Sequence, residues 1–241
     1  MKKAFKITYE DEDIVVINKR PHVLSIPDRF DPTLPNLRDL LAKVSEEVYV
    51  VHRLDKETSG IMIFAKNSAA HSSLSTSWEE GQVKKNYLAL TLHPRESSGT
   101  ITASLKENPQ KKGQYITSVN GKSAHTSYEV IASWQKYALL KIAIMTGRTH
   151  QIRVHMKHIG APLMVDKKYG ISDAFYLSSL KKVKYNRDQE ERPLLSRSSL
   201  HAHQLILPHP RTKKMMTFEA ELQKDMKAVV YQLNKKFQLK N

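Results

Sequence analysis

Cysteine is absent from all 241 residues, which rules out disulfides and thiolate metal sites and suits a reducing cytosol. Glycine is scarce as well. None of the eight glycines falls into a G-x-G-x-x-G or P-loop pattern, so a nucleotide-driven reaction has no phosphate cradle to work from. No serine sits in a Gly-x-Ser-x-Gly turn, which leaves a serine triad with little support. No apolar run approaches the roughly 20 residues that a membrane-crossing helix requires. The N-terminus passes at once from Met1-Lys2-Lys3 to Tyr9-Glu10-Asp11-Glu12-Asp13, without the apolar core of a secretory signal. The expectation is a soluble cytoplasmic protein with no membrane partner.

Negative charge is also in short supply. Lysine and arginine outnumber aspartate and glutamate by 39 to 24, leaving a formal charge of +15. Such an excess does not specify a fold, but it favours a polyanionic partner, and nucleic acid is the leading candidate.

What is present reads as one α+β domain over 1–241, a largely antiparallel mixed sheet flanked by helices, with no internal repeat and no sharp break in composition. Asp13–Asn18 is a short buried strand ended by Lys19-Arg20-Pro21. The proline-rich stretch from His22 to Pro35 reads as an ordered loop. Asn36 is placed to cap a helix with Leu37, Leu40, Leu41 and Val44 on one face, and Asn67–Glu80 is a second helix stopped by Gly81. Beyond it strands are expected at 86–90, 100–105, 114–119, 126–132 and 138–145. A helix is expected over Arg148–His158, then two strands around Pro208-His209-Pro210, and a final amphipathic helix from Leu222 to Phe237. The charged stretch within 172–199 reads as a mobile excursion.

The segment that gathers chemistry is His52-Arg53-Leu54-Asp55-Lys56-Glu57-Thr58-Ser59-Gly60, a polar loop between the apolar runs Val48–Val51 and Ile61–Ala65. A lone loop aspartate is usually a turn or capping residue. Here Arg53 lies two residues away, and a second basic set, Arg148 and Arg153, lies on the candidate helix after Gly147. A guanidinium packed behind the loop would hold Asp55 ionised and oriented. A carboxylate held so suits work at an anomeric carbon, and the want of a partner acid fits a leaving base that is not lost. Two other readings stay open. One is a non-catalytic RNA-binding or chaperone protein. The other is a metal-dependent hydrolase using His150, His155 and His158 near Asp166, although hydrogen-bonding histidines explain that cluster more simply.

The motif His52-Arg53-Leu54-Asp55-x-x-Thr58-Ser59-Gly60 resembles the active-site motif of RluA-type pseudouridine synthases. Lys85-x-Tyr87-Leu88-Ala89-Leu90 is similar to that family's second motif, and Thr146-Gly147-Arg148-Thr149-His150-Gln151-Ile152-Arg153-Val154-His155 to its third. Tyr169-Gly170, Leu200-His201-Ala202-His203-x-Leu205 and His209-Pro210 follow in order, so the likeness spans about residues 8–220. It implies the pseudouridine synthase fold and an isomerase of RNA, ribosomal or transfer, that uses no cofactor and no metal and acts as a monomer. Asp55 would be the catalytic aspartate, Arg153 its salt-bridge partner, and Tyr87 the residue that stacks on uracil. Arg53 would fill the gap left by the flipped nucleotide, with His52 and Arg148 also on the RNA-binding side. Two departures stand out: Asn18-Lys19-Arg20-Pro21 is shifted and lacks the family's glycine, and Val165-Asp166 replaces a Gly-Asp pair. With Asp55 so near the start there is no room for a preceding RNA-binding module, so the catalytic domain is expected to grip RNA alone.

Overall fold

A computed structural model describes residues 4–45, 47–181 and 190–237. The fold is α+β, a mixed and largely antiparallel β architecture with few helices. The chain gathers into two compact units, 1–86 with 201–221, and 87–200 with 222–241.

The first unit begins with β1 (Phe5–Glu10) and β2 (Ile14–Lys19), an antiparallel pair. A helical turn α1 (Leu37–Leu41) and the short strand β3 (Tyr49–Val50) follow. Next come β4 (Ser59–Ala65) and helix α2 (Ser68–Glu79). Strand β4 is buried along its whole length, with β2 antiparallel on one side. At its start it pairs in parallel with β11 (Leu200–Pro208) through His201 and Ala202, and β12 (Met215–Glu219) extends the sheet beyond β11. Alternation sends Ile61, Ile63 and Ala65 into a core with Ile14, Val16, Leu205, Leu207 and the Ala70–Leu74 face of α2. Helix α2 begins and ends as its sequence indicates: the Asn67 side chain accepts from the Ala70 N–H, and Gly81 turns the chain at φ +71°. The first helix is shorter than its apolar spacing predicts. Asn36 does cap it, through the Asp39 N–H, but only Leu37 and Leu41 are buried and Val44 stands in solvent.

In the second unit β5 (Lys84–Leu92, entering from residue 87), β10 (Tyr137–Ile144), β9 (Thr126–Trp134) and β6 (Ser98–Ile101) lie side by side in that order. Strand β7 (Leu105–Glu107) and β8 (Tyr115–Thr117) form a separate hairpin sheet. The one strand expected over 100–105 is therefore two, broken at 102–104, where His155 Nε2 bonds the Ala103 carbonyl at 2.7 Å. Helix α4 (Lys224–Phe237) packs Met226, Val229 and Leu233 against Leu88, Leu90, Trp134 and Leu139. Within the stretch read as an excursion, 182–189 lie outside the described residues, but the flanks pack. Phe175 bridges to Leu195, and the buried Arg197 makes a two-pronged salt bridge to Asp225 (2.7 and 2.8 Å).

Candidate active site

The loop that carries Asp55 is fastened from behind at several points. Lys19, at the end of β2, is fully buried, and its ammonium donates to the carbonyls of Thr58 (2.7 Å), Lys56 (3.0 Å) and Arg20 (3.1 Å). Three donors and no acceptor are what an ammonium has to offer, and three carbonyls receive them. On the near side of Asp55, the Ser25 hydroxyl donates to the Leu54 carbonyl and accepts from the Leu54 N–H (2.7 and 3.1 Å). The Thr58 N–H closes a turn onto the Asp55 carbonyl at 3.1 Å. Asp55 itself is half-buried and Arg53 is exposed.

Where the loop re-enters β4, Gly60 has φ +119°, and a Cβ there would fall 2.0 Å from the Ala202 carbonyl oxygen. Only glycine lets β11 approach that closely. Beside it His201 donates from Nε2 to the Ala220 carbonyl (3.0 Å), which leaves Nδ1 to accept from the Ser59 hydroxyl (2.9 Å). The polar residues of the motif are thus anchors for the backbone on either side of one carboxylate.

The structure gives His52, expected at the RNA surface, a supporting task. Its Nε2 accepts the Ile63 N–H at 3.1 Å and its ring stacks on Trp78 with centroids 5.0 Å apart. Burial first, and the nearby Lys85 second, push its pKa down to about 3. Between that value and the ordinary histidine range the unfolded chain binds a proton that the folded chain refuses, so stability rises with pH across this window. His52→Gln, which keeps an acceptor for Ile63, is expected to flatten the slope of unfolding free energy between about pH 4 and 6.5. Urea titrations at several pH values read this directly, and parallel slopes for the two proteins would contradict the assignment.

In the second unit, α3 (Gln151–His158) holds Arg153. The helix starts three residues later than expected because His150 adopts a left-handed conformation (φ 57°) as its N-cap residue, and because the Gln151 side-chain Oε1 accepts from the Thr146 hydroxyl (2.7 Å) and the Arg148 N–H (3.1 Å). Arg148 is therefore not on the helix with Arg153. It is exposed, held by its Nε to the Ser123 carbonyl (3.1 Å), and lines a cavity of about 450 Å³ with Lys106, Lys122 and Tyr115.

Arg153 is buried and grips Asp166 edge-on, Nε to Oδ2 at 2.5 Å and Nη2 to Oδ1 at 2.8 Å. Burial alone would raise the Asp166 carboxyl. The bonds and charge of Arg153, with the N–H groups of Lys168 and Tyr169, outweigh it and hold the group below the usual carboxylate value. The sequence reading named Asp166 beside the histidines and in the Val165-Asp166 pair, but did not pair it with Arg153. The pattern Asp166-x-Lys168-Tyr169-Gly170 carried a signal: an aspartate that accepts N–H groups two and three residues on, with a glycine where the turn closes on it. Tyr87 is buried on β5, on the strand face opposite Leu88 and Leu90.

The histidines near Asp166 are engaged with protein groups: His150 with Tyr169, His155 with Thr126 and Ala103, His158 with Thr117. Among the described residues the one trio within metal-ligand reach is elsewhere, Asp11, Asp13 and His209, where Asp11 already receives Tyr9 and His209, and Asp13 receives Arg211.

Residues 13–158 match the family model described as RNA pseudouridylate synthase, a span that contains Asp55, Tyr87 and Arg153. The chain belongs to that family. Ribosomal large subunit pseudouridine synthase D of Buchnera aphidicola is 37% identical over 238 residues, covering 95% of this chain and 72% of the relative. The protein of the same description from Escherichia coli O6:H1 is 34% identical over 234 residues, covering 91% and 68%. Among solved structures, human RNA pseudouridylate synthase domain containing 4 superposes with a TM-score of 0.68 at 26% identity, over 95% of this chain and 92% of that one. This RNA pseudouridine synthase is therefore an isomerase: it breaks the bond from uracil N1 to ribose C1′ and forms one from C5 to C1′. The C5 hydrogen departs as a proton and N1 gains one.

Proposed function

We propose that this pseudouridine synthase modifies large-subunit ribosomal RNA, as a monomer in the cytoplasm, and that the whole chain acts as one catalytic domain. Relatives named for that RNA support the substrate, and a charge of +15 suits a polyanion. Asp55 is the catalytic residue, acting on the ribose side as the glycosidic bond opens. Arg153, whose Nε and Nη2 hold Asp166, is assigned to the same chemistry. Tyr87 supplies the ring for the extruded uracil, and Arg53 fills the vacated stack. Arg148, in its cavity with Lys106 and Lys122, holds phosphates of the flanking strand. His52 serves the loop rather than the RNA.

The observation that carries this assignment is the fastening of the loop. Lys19 and Ser25 hold the carbonyls of Leu54, Lys56 and Thr58 around Asp55, so that one acidic side chain is presented on an immobilised backbone. The test is incubation of the purified protein with unmodified transcripts of large-subunit rRNA and of transfer RNA, followed by mapping of pseudouridine. Modification of one or a few uridines in the rRNA is expected. Modification of transfer RNA alone would overturn the substrate assignment.

A further inference from the structure

Arg153 is held by three constraints, and all three meet at Tyr169. The Asp166 carboxylate that takes the edge of the guanidinium also accepts the Tyr169 N–H (3.2 Å). The Tyr169 ring lies against the guanidinium face, its centroid 5.0 Å from Cζ. The Tyr169 hydroxyl meets Nδ1 of His150 at 2.8 Å, and His150 is the left-handed N-cap of the helix that carries Arg153 one turn on. The same hydroxyl accepts the backbone N–H of Tyr115 at 2.7 Å.

That last bond is the informative one. Tyr115 belongs to β8, in the hairpin that is separate from the main strands of its unit, and it lines the cavity with three cations, Lys106, Lys122 and Arg148, and one acid, Glu107. A ring that served only to fill the core beside Leu105, Ala124 and Val154 would not require an oxygen here. The hydroxyl bonds a strand on one side and a helix cap on the other, while its ring faces a cation.

We infer that Tyr169 is a positioning residue, whose hydroxyl couples the seating of the β7–β8 hairpin to the alignment of the Arg153 guanidinium. The inference rests on the role proposed above for Arg153. Strand RNA bound in the cavity bears on Tyr115, Tyr115 bears on Tyr169, and Tyr169 fixes the Arg153 guanidinium. RNA contact with the hairpin thereby readies the site for chemistry.

Tyr169→Phe keeps the ring and removes the oxygen. With a large-subunit rRNA transcript under single-turnover, saturating conditions, the rate of pseudouridine formation is expected to fall about ten- to a hundredfold, the range for losing a buried hydrogen-bonding group. RNA affinity should change by less than about threefold, the lost alignment falling on the chemical step. That split, a slower chemical step at unchanged affinity, is a readout that a merely structural loss does not give. Trp134→Phe is the comparison: it loses a part-buried bond to Asn234 (2.7 Å) within the α4 core, and should cost stability without slowing the chemical step. An unchanged rate for Tyr169→Phe, or an equal slowing in the Trp134 variant, would overturn the inference. If Tyr169→Phe fails to fold, His150→Asn addresses the same hydroxyl, since asparagine tolerates the left-handed backbone. The same slowing at unchanged affinity is expected, and its absence overturns the coupling. Arg153→Lys separates the two levels. If it retains the full rate, the role of Arg153 itself falls; if it is impaired while Tyr169→Phe is not, only the coupling falls.

Discussion

Asp55→Asn yields a folded protein that binds RNA and makes no pseudouridine. The substitution is nearly isosteric, and the bonds that hold the loop pass through the carbonyls of Leu54, Lys56 and Thr58, none of which it touches. The unfolding midpoint should therefore shift little and the dissociation constant for an rRNA transcript should stay within about threefold. The turnover rate should fall by at least about 10⁴, the scale seen when a lone reacting group is removed and binding is left intact. Nucleoside analysis of digested RNA measures it. Residual turnover within about a hundredfold of the wild type would deny Asp55 its role, and RNA binding without turnover in the wild-type protein itself would point back to a binding module.

Arg153→Ala is expected to strike both stability and activity. It leaves the Asp166 carboxylate buried with only the Lys168 and Tyr169 N–H groups and no counter-charge, at a cost of about 3–5 kcal/mol. The pH dependence has a definite sign. Asp166 has a lowered value in the fold, so its ion pair contributes stability above the unfolded carboxylate value near 4, and that contribution fades as pH falls through the folded value. The gap between wild type and variant should then be widest near neutrality and narrow in acid. Denaturant titrations across pH measure the gap; a gap independent of pH would contradict the account. Catalysis separates from stability in the double variant Arg153→Met, Asp166→Asn. Removing the orphaned charge should recover much of the fold, while turnover stays as low as in the single variant. Recovery of turnover together with stability would remove Arg153 from the chemistry.

Much of this architecture could be read from residue order because local signals agreed with the packing. The uninterrupted run Ile61–Ala65 marked β4, which is buried on both faces, and Asn67 and Gly81 marked the two ends of α2 by the bonds and backbone angle they in fact adopt. Asp55 was singled out by its setting, an acid among cations on a loop between strands. What escaped depended on distant partners. Lys19 looks like a surface lysine closing a strand, yet its partners Lys56 and Thr58 lie 37 and 39 residues away. Asp166 is thirteen residues from Arg153, and only the turn after α3 brings its carboxylate to the guanidinium. His52 resembles a cation for RNA, but the ring fits between Trp78 and the Ile63 N–H, an environment that keeps it neutral. Arg148 was assigned to the helix because nothing in a one-letter pattern announces that His150 takes a left-handed backbone.

The departures from the family pattern turn out to lie on supporting residues. The shift at Asn18-Lys19-Arg20-Pro21 still delivers Lys19 Nζ to the loop carbonyls, with the Arg20 N–H held by Ala4 (2.9 Å). Val165-Asp166 likewise keeps the carboxylate that Arg153 needs. Both segments hold the backbone and the cation in place, whereas the reaction is assigned to one acid.

The fate of the C5 hydrogen tests that assignment most directly. Rejoining uracil through C5 expels the hydrogen carried there, so an rRNA transcript made with uridine tritiated at C5 reports each turnover as tritium in water. The wild-type chain, with chelator present and no cofactor added, is predicted to release tritium in step with pseudouridine, and Asp55→Asn to release none above the protein-free blank. Tritium release by Asp55→Asn at the wild-type rate, or none from the wild-type chain on any RNA offered, would contradict the account.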